Sequence, residues 1–177
     1  MIQRVVLCVA VCLSSMAGQS TRTPDLVAQH AAMQKLNFLV GKWSGEAQVF
    51  PAMGGSVRLA WGEDAQYKLD GLLLEIEANG RNKVDNKVVR QALGFVSYDD
   101  STGAYRMRTF NDGRYLETDL KLLDEGKGFT WHFEIGEIKT RSVLRINDKG
   151  EWTEAHDLIV ASQPTRRLME VRVSRQP

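Results

Sequence analysis

From Gly41 onward the chain alternates apolar and polar residues with a period of two, almost to its end. Turn-forming residues divide this stretch into ten segments of strand length. The pattern predicts strands over 42–50, 57–69, 72–79, 87–98, 104–110, 114–123, 127–135, 138–146, 151–161 and 167–175. Pairs such as Asp70-Gly71 and Asp112-Gly113 separate several of them, and these residues tolerate the positive φ that tight hairpins require. Ahead of the strands the period is 3.6: Leu26, His30, Met33 and Asn37, with Val27 and Leu36 beside them, predict a short helix ending near Leu36. Thr23 is its expected N-cap, with Pro24 and Asp25 in the first turn.

Hairpin after hairpin with no intervening helix implies antiparallel neighbours in sequence order. An open ten-stranded meander would leave two long edges unpaired, and closing the sheet removes both. The expected fold is therefore all-β: an antiparallel up-and-down barrel of about ten strands, its closed end covered by the short N-terminal helix. Alternation assigns the inner face to Trp43/Ala47/Val49, Val57/Leu59/Trp61, Leu74/Ile76/Ala78, Tyr105/Met107 and Leu116/Leu120/Leu122. It continues with Phe129/Trp131/Phe133/Ile135, Ile138/Leu144/Ile146, Trp152/Leu158/Val160 and Met169/Val171/Val173. The strand over 87–98 leaves two inner sets open, Leu93/Phe95 and Ala92/Val96/Tyr98, and the inner face of 151–161 is also unsettled. Arg58, Lys68, Glu75, Glu77, Lys121, Lys139, Arg141 and Arg145 fall on the opposite faces, where a membrane barrel would meet lipid.

Residues 1–17 stand outside this pattern. Arg4, the nine-residue apolar run from Val5 to Leu13 and the small residues of Ser15-Met16-Ala17 read as a signal peptide cleaved before Gly18. The expected organisation is a leader over 1–17, an extension and helix over 18–40, and a barrel domain over 41–177 in an exported protein, periplasmic or extracellular. Both cysteines, Cys8 and Cys12, would leave with the leader, so the mature chain would have no disulfide. Without Arg4 the 23 basic side chains come level with the 22 acidic ones, and no stripe of positive charge suggests nucleic acid.

Phe38-Leu39-Val40-Gly41-Lys42-Trp43-Ser44-Gly45, opening a run of antiparallel strands, resembles the start of calycin-type barrels. That superfamily includes lipocalins, fatty-acid-binding proteins and nitrobindins. The whole mature chain is most similar to a family of exported bacterial lipocalin-like proteins that begin F-L-V-G-x-W-x-G. Gly94-Phe95 followed by Tyr98-Asp99 and Tyr105 resembles the middle of that family. The third glycine of the nitrobindin pattern G-x-W-x-G-x-G is Ala47 here. Resemblance to nitrobindins implies a haem ligand late in the barrel, and His156 is the positional counterpart.

The residues also suggest roles of their own. Gly41 and Gly45 let the first strand bend into the barrel, Trp43 plugs the closed end, and Arg175 on the last strand lies within reach of its ring. A pocket is expected from Trp61, Tyr105, Thr109, Thr118, Trp131 and His156, with Glu63 and Glu154 as polar anchors and an entrance at the end away from Trp43. Arg90, Thr140, Ser142, Tyr67 and Tyr98 also interrupt apolar faces. His132 alternates outward. Such scattered polar groups inside an apolar barrel suit a small apolar or amphipathic ligand. Haem at His156 and acid–base catalysis by Glu154 and His156 are the alternatives. The three histidines lack zinc-site spacing, and neither G-x-S-x-G nor a phosphate-binding loop occurs.

Overall fold

The computed structural model describes residues 22–177 apart from 125, 136–137 and 161–162. The expected leader lies outside the described residues. Helix α1 (Leu26–Gln34) and a 3-10 turn (Asn37–Leu39) precede ten strands. These are β1 (Gly41–Val49), β2 (Val57–Lys68), β3 (Leu73–Asn82), β4 (Val88–Asp99) and β5 (Ala104–Asn111). They continue with β6 (Arg114–Leu122), β7 (Gly128–Ile135), β8 (Ile138–Ile146), β9 (Trp152–Val160) and β10 (Arg166–Arg175). Each strand pairs antiparallel with its sequence neighbours, and β10 pairs with β1 to close the barrel.

The closing seam depends on small residues. A Cβ at Gly45 would lie 2.3 Å from the Arg172 carbonyl oxygen and 2.9 Å from the Val173 Cα, so β1 and β10 approach only because that atom is absent. Gly41, at φ 125°, occupies backbone space that side chains disfavour, and the turn it makes starts the first strand. Trp43 then points down the barrel, fully inside. Its indole N–H donates to the Leu39 carbonyl at 2.7 Å. The Arg175 guanidinium lies over the ring, 4.2 Å from its centroid, and donates to the carbonyls of Val40 and Phe38.

Helix and turn form the floor. Met33, Leu36 and Leu39 are completely buried over the barrel end. The Tyr67 and Tyr105 hydroxyls rise from the strands to donate to the carbonyls of Met33 and Ala32, which lie in the last helical turn. Burial, with a further contribution from Tyr105, pushes the Tyr67 hydroxyl up to about 12, so it remains a donor. Asp100, in the β4–β5 turn, accepts from the Asp25 N–H and from the Gln29 side chain.

The helix differs from expectation at both ends. Asp25, not Thr23, is the N-cap, because its carboxylate accepts from the Ala28 N–H at 3.0 Å. The helix stops at Gln34, and Leu36 belongs to the turn that follows. Leu26 is 51% exposed and Val27 80%, since the first turn is tied over the β4–β5 turn and only the last turn reaches the floor. Val57 is also exposed, at the free rim where β2 begins.

Both unsettled strand faces resolve. On β4, Val96 is fully buried and Ala92 and Gly94 line the interior, leaving Leu93 and Phe95 outside. On β9, Trp152, Glu154 and His156 face inward. The outer face carries charge pairs along neighbouring strands, among them Lys68–Glu75 and Arg108–Glu117. No described helix is long and apolar enough to cross a membrane.

The seam makes a specific demand. Gly45→Ala should force β1 and β10 apart and cost about 1–3 kcal/mol, as overpacking does. At about 2–4 °C per kcal/mol for a chain of this size, thermal unfolding followed by circular dichroism should show a clear drop in midpoint. An unchanged midpoint would mean that the seam can widen without loss.

Candidate functional site

Side chains fill the barrel next to α1 but not at its other end. Near the floor, Trp43 and Trp152 meet edge to face with centroids 5.5 Å apart, and Phe129, Leu144, Leu74 and Val96 complete a solid layer. Beyond this layer lies a cavity of about 440 Å³, bounded at the far end by Phe50, Pro51, Ala52, Asn111 and Arg166. These residues belong to the rim opposite the helix, so the entrance is at the end away from Trp43.

Two short motifs build the inner end of the cavity. In Trp61-Gly62-Glu63 on β2, alternation puts indole and carboxyl on one face, and the Trp61 Nε1–H donates to Glu63 Oε1 at 2.5 Å. Trp152-Thr153-Glu154 on β9 repeats the arrangement, with Trp152 Nε1–H donating to Glu154 Oε1 at 2.8 Å. His156 follows on the same face. Its Nε2 lies 2.8 Å from Glu154 Oε2, and its Nδ1 lies 2.9 Å from Ser142 Oγ. Ser142 sits directly across the β8–β9 ladder from His156, and the imidazole packs edge-on against Trp131, 5.6 Å between centroids.

Glu63 and Glu154 are in different electrostatic situations. Both oxygens of Glu154 are occupied, one by the Trp152 indole and one by His156. Glu63 is only 6% exposed and receives one bond, from Trp61. Its second oxygen has no partner among the described residues and opens on the cavity. Burial, reinforced by the negative charge of Glu154, raises the Glu63 carboxyl well above its ordinary value of 4.5, and the Trp61 N–H offsets only part of this. The inner end of the cavity therefore holds one acid whose two oxygens are both hydrogen-bonded and one whose burial favours its protonated form.

The expected pocket residues divide. Trp61, Glu63, Thr109, Trp131, Glu154 and His156 all line the cavity. Tyr105 does not, because its hydroxyl is committed to the helix beneath the floor. Thr118 does not either, because its hydroxyl donates to the His132 carbonyl across the gap between β6 and β7. Only Lys121–Thr130 and Leu122–Phe129 pair as backbone between those strands, so a side chain bridges them further up. The partnership of Ser142 with His156 was not read from sequence. The signal for it is cross-strand register, which a single strand does not reveal. The repeated Trp-x-Glu was legible at period two.

Ser142, His156 and Glu154 form a hydroxyl–imidazole–carboxylate chain. Ser142 nevertheless lies within paired strands, opposite Trp131 on one side and His156 on the other. Backbone N–H groups there belong to the ladder, and an acyl-transfer site needs free donors for its oxyanion. The arrangement does not fit haem as expected either. Both His156 nitrogens are engaged, and an iron approaching Nε2 would displace the Glu154 carboxylate. Among the described residues no cluster of three or more His, Cys, Asp or Glu is placed to hold a metal ion.

No protein-family model and no curated protein matches the chain. Among solved structures it is similar to the crystal structure of Rv2717c from M. tuberculosis, at a TM-score of 0.62 and 14% identity. The match covers 82% of this chain and 98% of that one. At that identity the likeness is one of fold.

The raised Glu63 carboxyl has a consequence for stability. Unfolding returns it to an ordinary carboxyl, so above about pH 4.5 the folded chain holds a proton that the unfolded chain has lost. Stability from this group is fully present below that pH and is lost as pH rises toward the folded value. Glu63→Gln removes the titration. The midpoint of the variant should therefore gain on that of the unmodified protein as thermal melts move from about pH 4 to about pH 8. A difference that stays constant over that range would contradict the assignment.

Proposed function

We propose that this chain is an exported carrier or sequestering protein for a small, largely apolar ligand held inside the barrel. One observation carries the reading: a cavity of about 440 Å³, open at one rim, with aromatic and aliphatic walls and a few convergent polar groups at its inner end. That volume falls in the usual range for small-molecule sites, and polar groups that converge on one point fix a ligand's orientation. The walls include Trp61, Trp131, Phe129, Phe133, Ile76, Met107 and Met169. Neither occupied nitrogens on His156 nor ladder-bound N–H groups around Ser142 oppose simple binding.

The floor supports the same reading. Polar bonds fix the helix and the Trp43 plug, which closes that end of the barrel and leaves the opposite rim for a ligand to enter. Export rests on the leader read from residues 1–17, and N-terminal sequencing of secreted material should start near Gly18. A sequence starting at Met1 would overturn that part.

Native mass spectrometry of protein purified from its own host should show a retained small molecule in the folded species. Ala92, half-buried on the cavity wall, supplies the control. Ala92→Trp should fill the space, abolish retention of the molecule and leave the thermal midpoint unchanged or raised. Retention undiminished in a folded Ala92→Trp variant would place the molecule elsewhere.

A further inference from the structure

The inner end of the cavity has a sign, and the sign points to a ligand class. This inference rests on the ligand-binding reading above and goes further by naming the chemistry of the ligand's buried end. Glu63 and Glu154 both face the cavity. Each Glu154 oxygen already accepts one bond and keeps a further lone pair, whereas Glu63 is more than nine-tenths buried and has one oxygen without a partner among the described residues. The elements beside Glu63 bring no basic group to it. In the ladder, β1 sets Trp43 opposite and β3 sets Ala78. The titratable groups facing it are Glu154 and His156 on β9, and His156 is held by Glu154 and Ser142. The nearest cation on β10, Arg175, lies beneath the Trp43 plug and is bound to Val40 and Phe38.

Positive charge within the lining is at the rim instead. Arg90 reaches Asp112 at 4.0 Å, and Arg166 donates to the Phe50 carbonyl. Between rim and inner end, indoles and phenyl rings form the wall, and aromatic faces attract organic cations. A carboxylate-headed ligand would bring like charge toward Glu154 with no arginine to receive it. An ammonium would find an acceptor on Glu63, the field of Glu154 and the indoles of Trp61 and Trp131 in the surrounding wall.

We propose that the cavity takes an amphipathic organic amine, its ammonium seated between Glu63 and Glu154 and its apolar body against the aromatic wall. The cation replaces the proton that Glu63 otherwise keeps. Ammonium enters, a proton passes from Glu63 to the buffer, and total charge is conserved.

Isothermal titration of the purified chain with octylammonium, octan-1-ol and octanoate at neutral pH tests this, each run in phosphate and in Tris. Octylammonium should bind at least tenfold more tightly than octan-1-ol, with octanoate weakest. Its apparent heat should differ between the two buffers by their difference in protonation enthalpy, which reports the released proton. Glu63→Gln should lower the amine-to-alcohol ratio at least tenfold and abolish the buffer dependence. Glu154→Gln, which removes the second charge, should lower the same ratio. Binding of octan-1-ol or octanoate as tight as that of the amine would overturn the proposal and leave the ligand-binding reading standing. Amine binding with no buffer dependence would also overturn it. If none of the three probes binds, the ligand-binding reading fails as well.

Discussion

β1 can lie against β10 only because Gly45 carries no side chain where the Arg172 carbonyl oxygen passes. Every other feature depends on that closure. It satisfies the two edges that a ten-stranded meander would otherwise expose, and it fixes which end of the barrel is the floor. It also brings the end of the last strand beside the start of the first, so Arg175 can cover Trp43 and hold the turn that leads in from the helix. One glycine, one indole and one guanidinium thus connect the chain's entry to its exit.

Around that seam the interior is divided by depth. Near the helix, large apolar side chains interlock and polar atoms act as ties: Tyr67, Tyr105 and the Trp43 indole each reach a backbone carbonyl of the floor. Toward the rim, smaller residues such as Ala78, Ala92 and Gly94 leave space. A Cβ at Gly80 would lie 2.6 Å from the Trp61 ring, so the missing side chain makes room for that indole at the cavity edge. A buried carboxyl beside a second carboxyl lowers stability wherever it would ionise. Its retention at the boundary between solid floor and empty space is the kind of local conflict that marks a functional position.

The outer face follows ordinary rules for a strand facing water. Asp157 shows how completely a charge can be handled there. Burial alone would raise its carboxyl, but Arg167 and Arg141 more than offset that, and it lies below the usual carboxylate range. Glu63, with no such partner, moves the opposite way. Side-chain type does not separate these acids; the cation that tertiary structure brings to one of them does.

Local chemistry alone determined the strands, the turns and the closed meander, because period-two alternation and Asp-Gly or Asn-x-Gly punctuation act within a few residues. Strand limits read from the pattern differ from the observed ones by a few residues at most, and Trp61, Glu63 and Trp131 were legible as inward-facing, whereas the face of β9 that carries Glu154 and His156 was left open by its own alternation. What lay beyond reach depended on partners distant in sequence. The inner face of β4 was decided by packing against β3 and β5, since both of its alternating sets are apolar enough to be buried. Tyr105 and Thr118 carry hydroxyls on the right face, yet one is taken by the helix carbonyl of Ala32 and the other by His132 across the β6–β7 gap. Leu26 matches the helical period but overhangs the floor, because Asp100 ties the first turn of the helix elsewhere. A strand's own residues say which way a side chain points. What it meets there is set by closure of the barrel, which brings together residues that no local pattern connects.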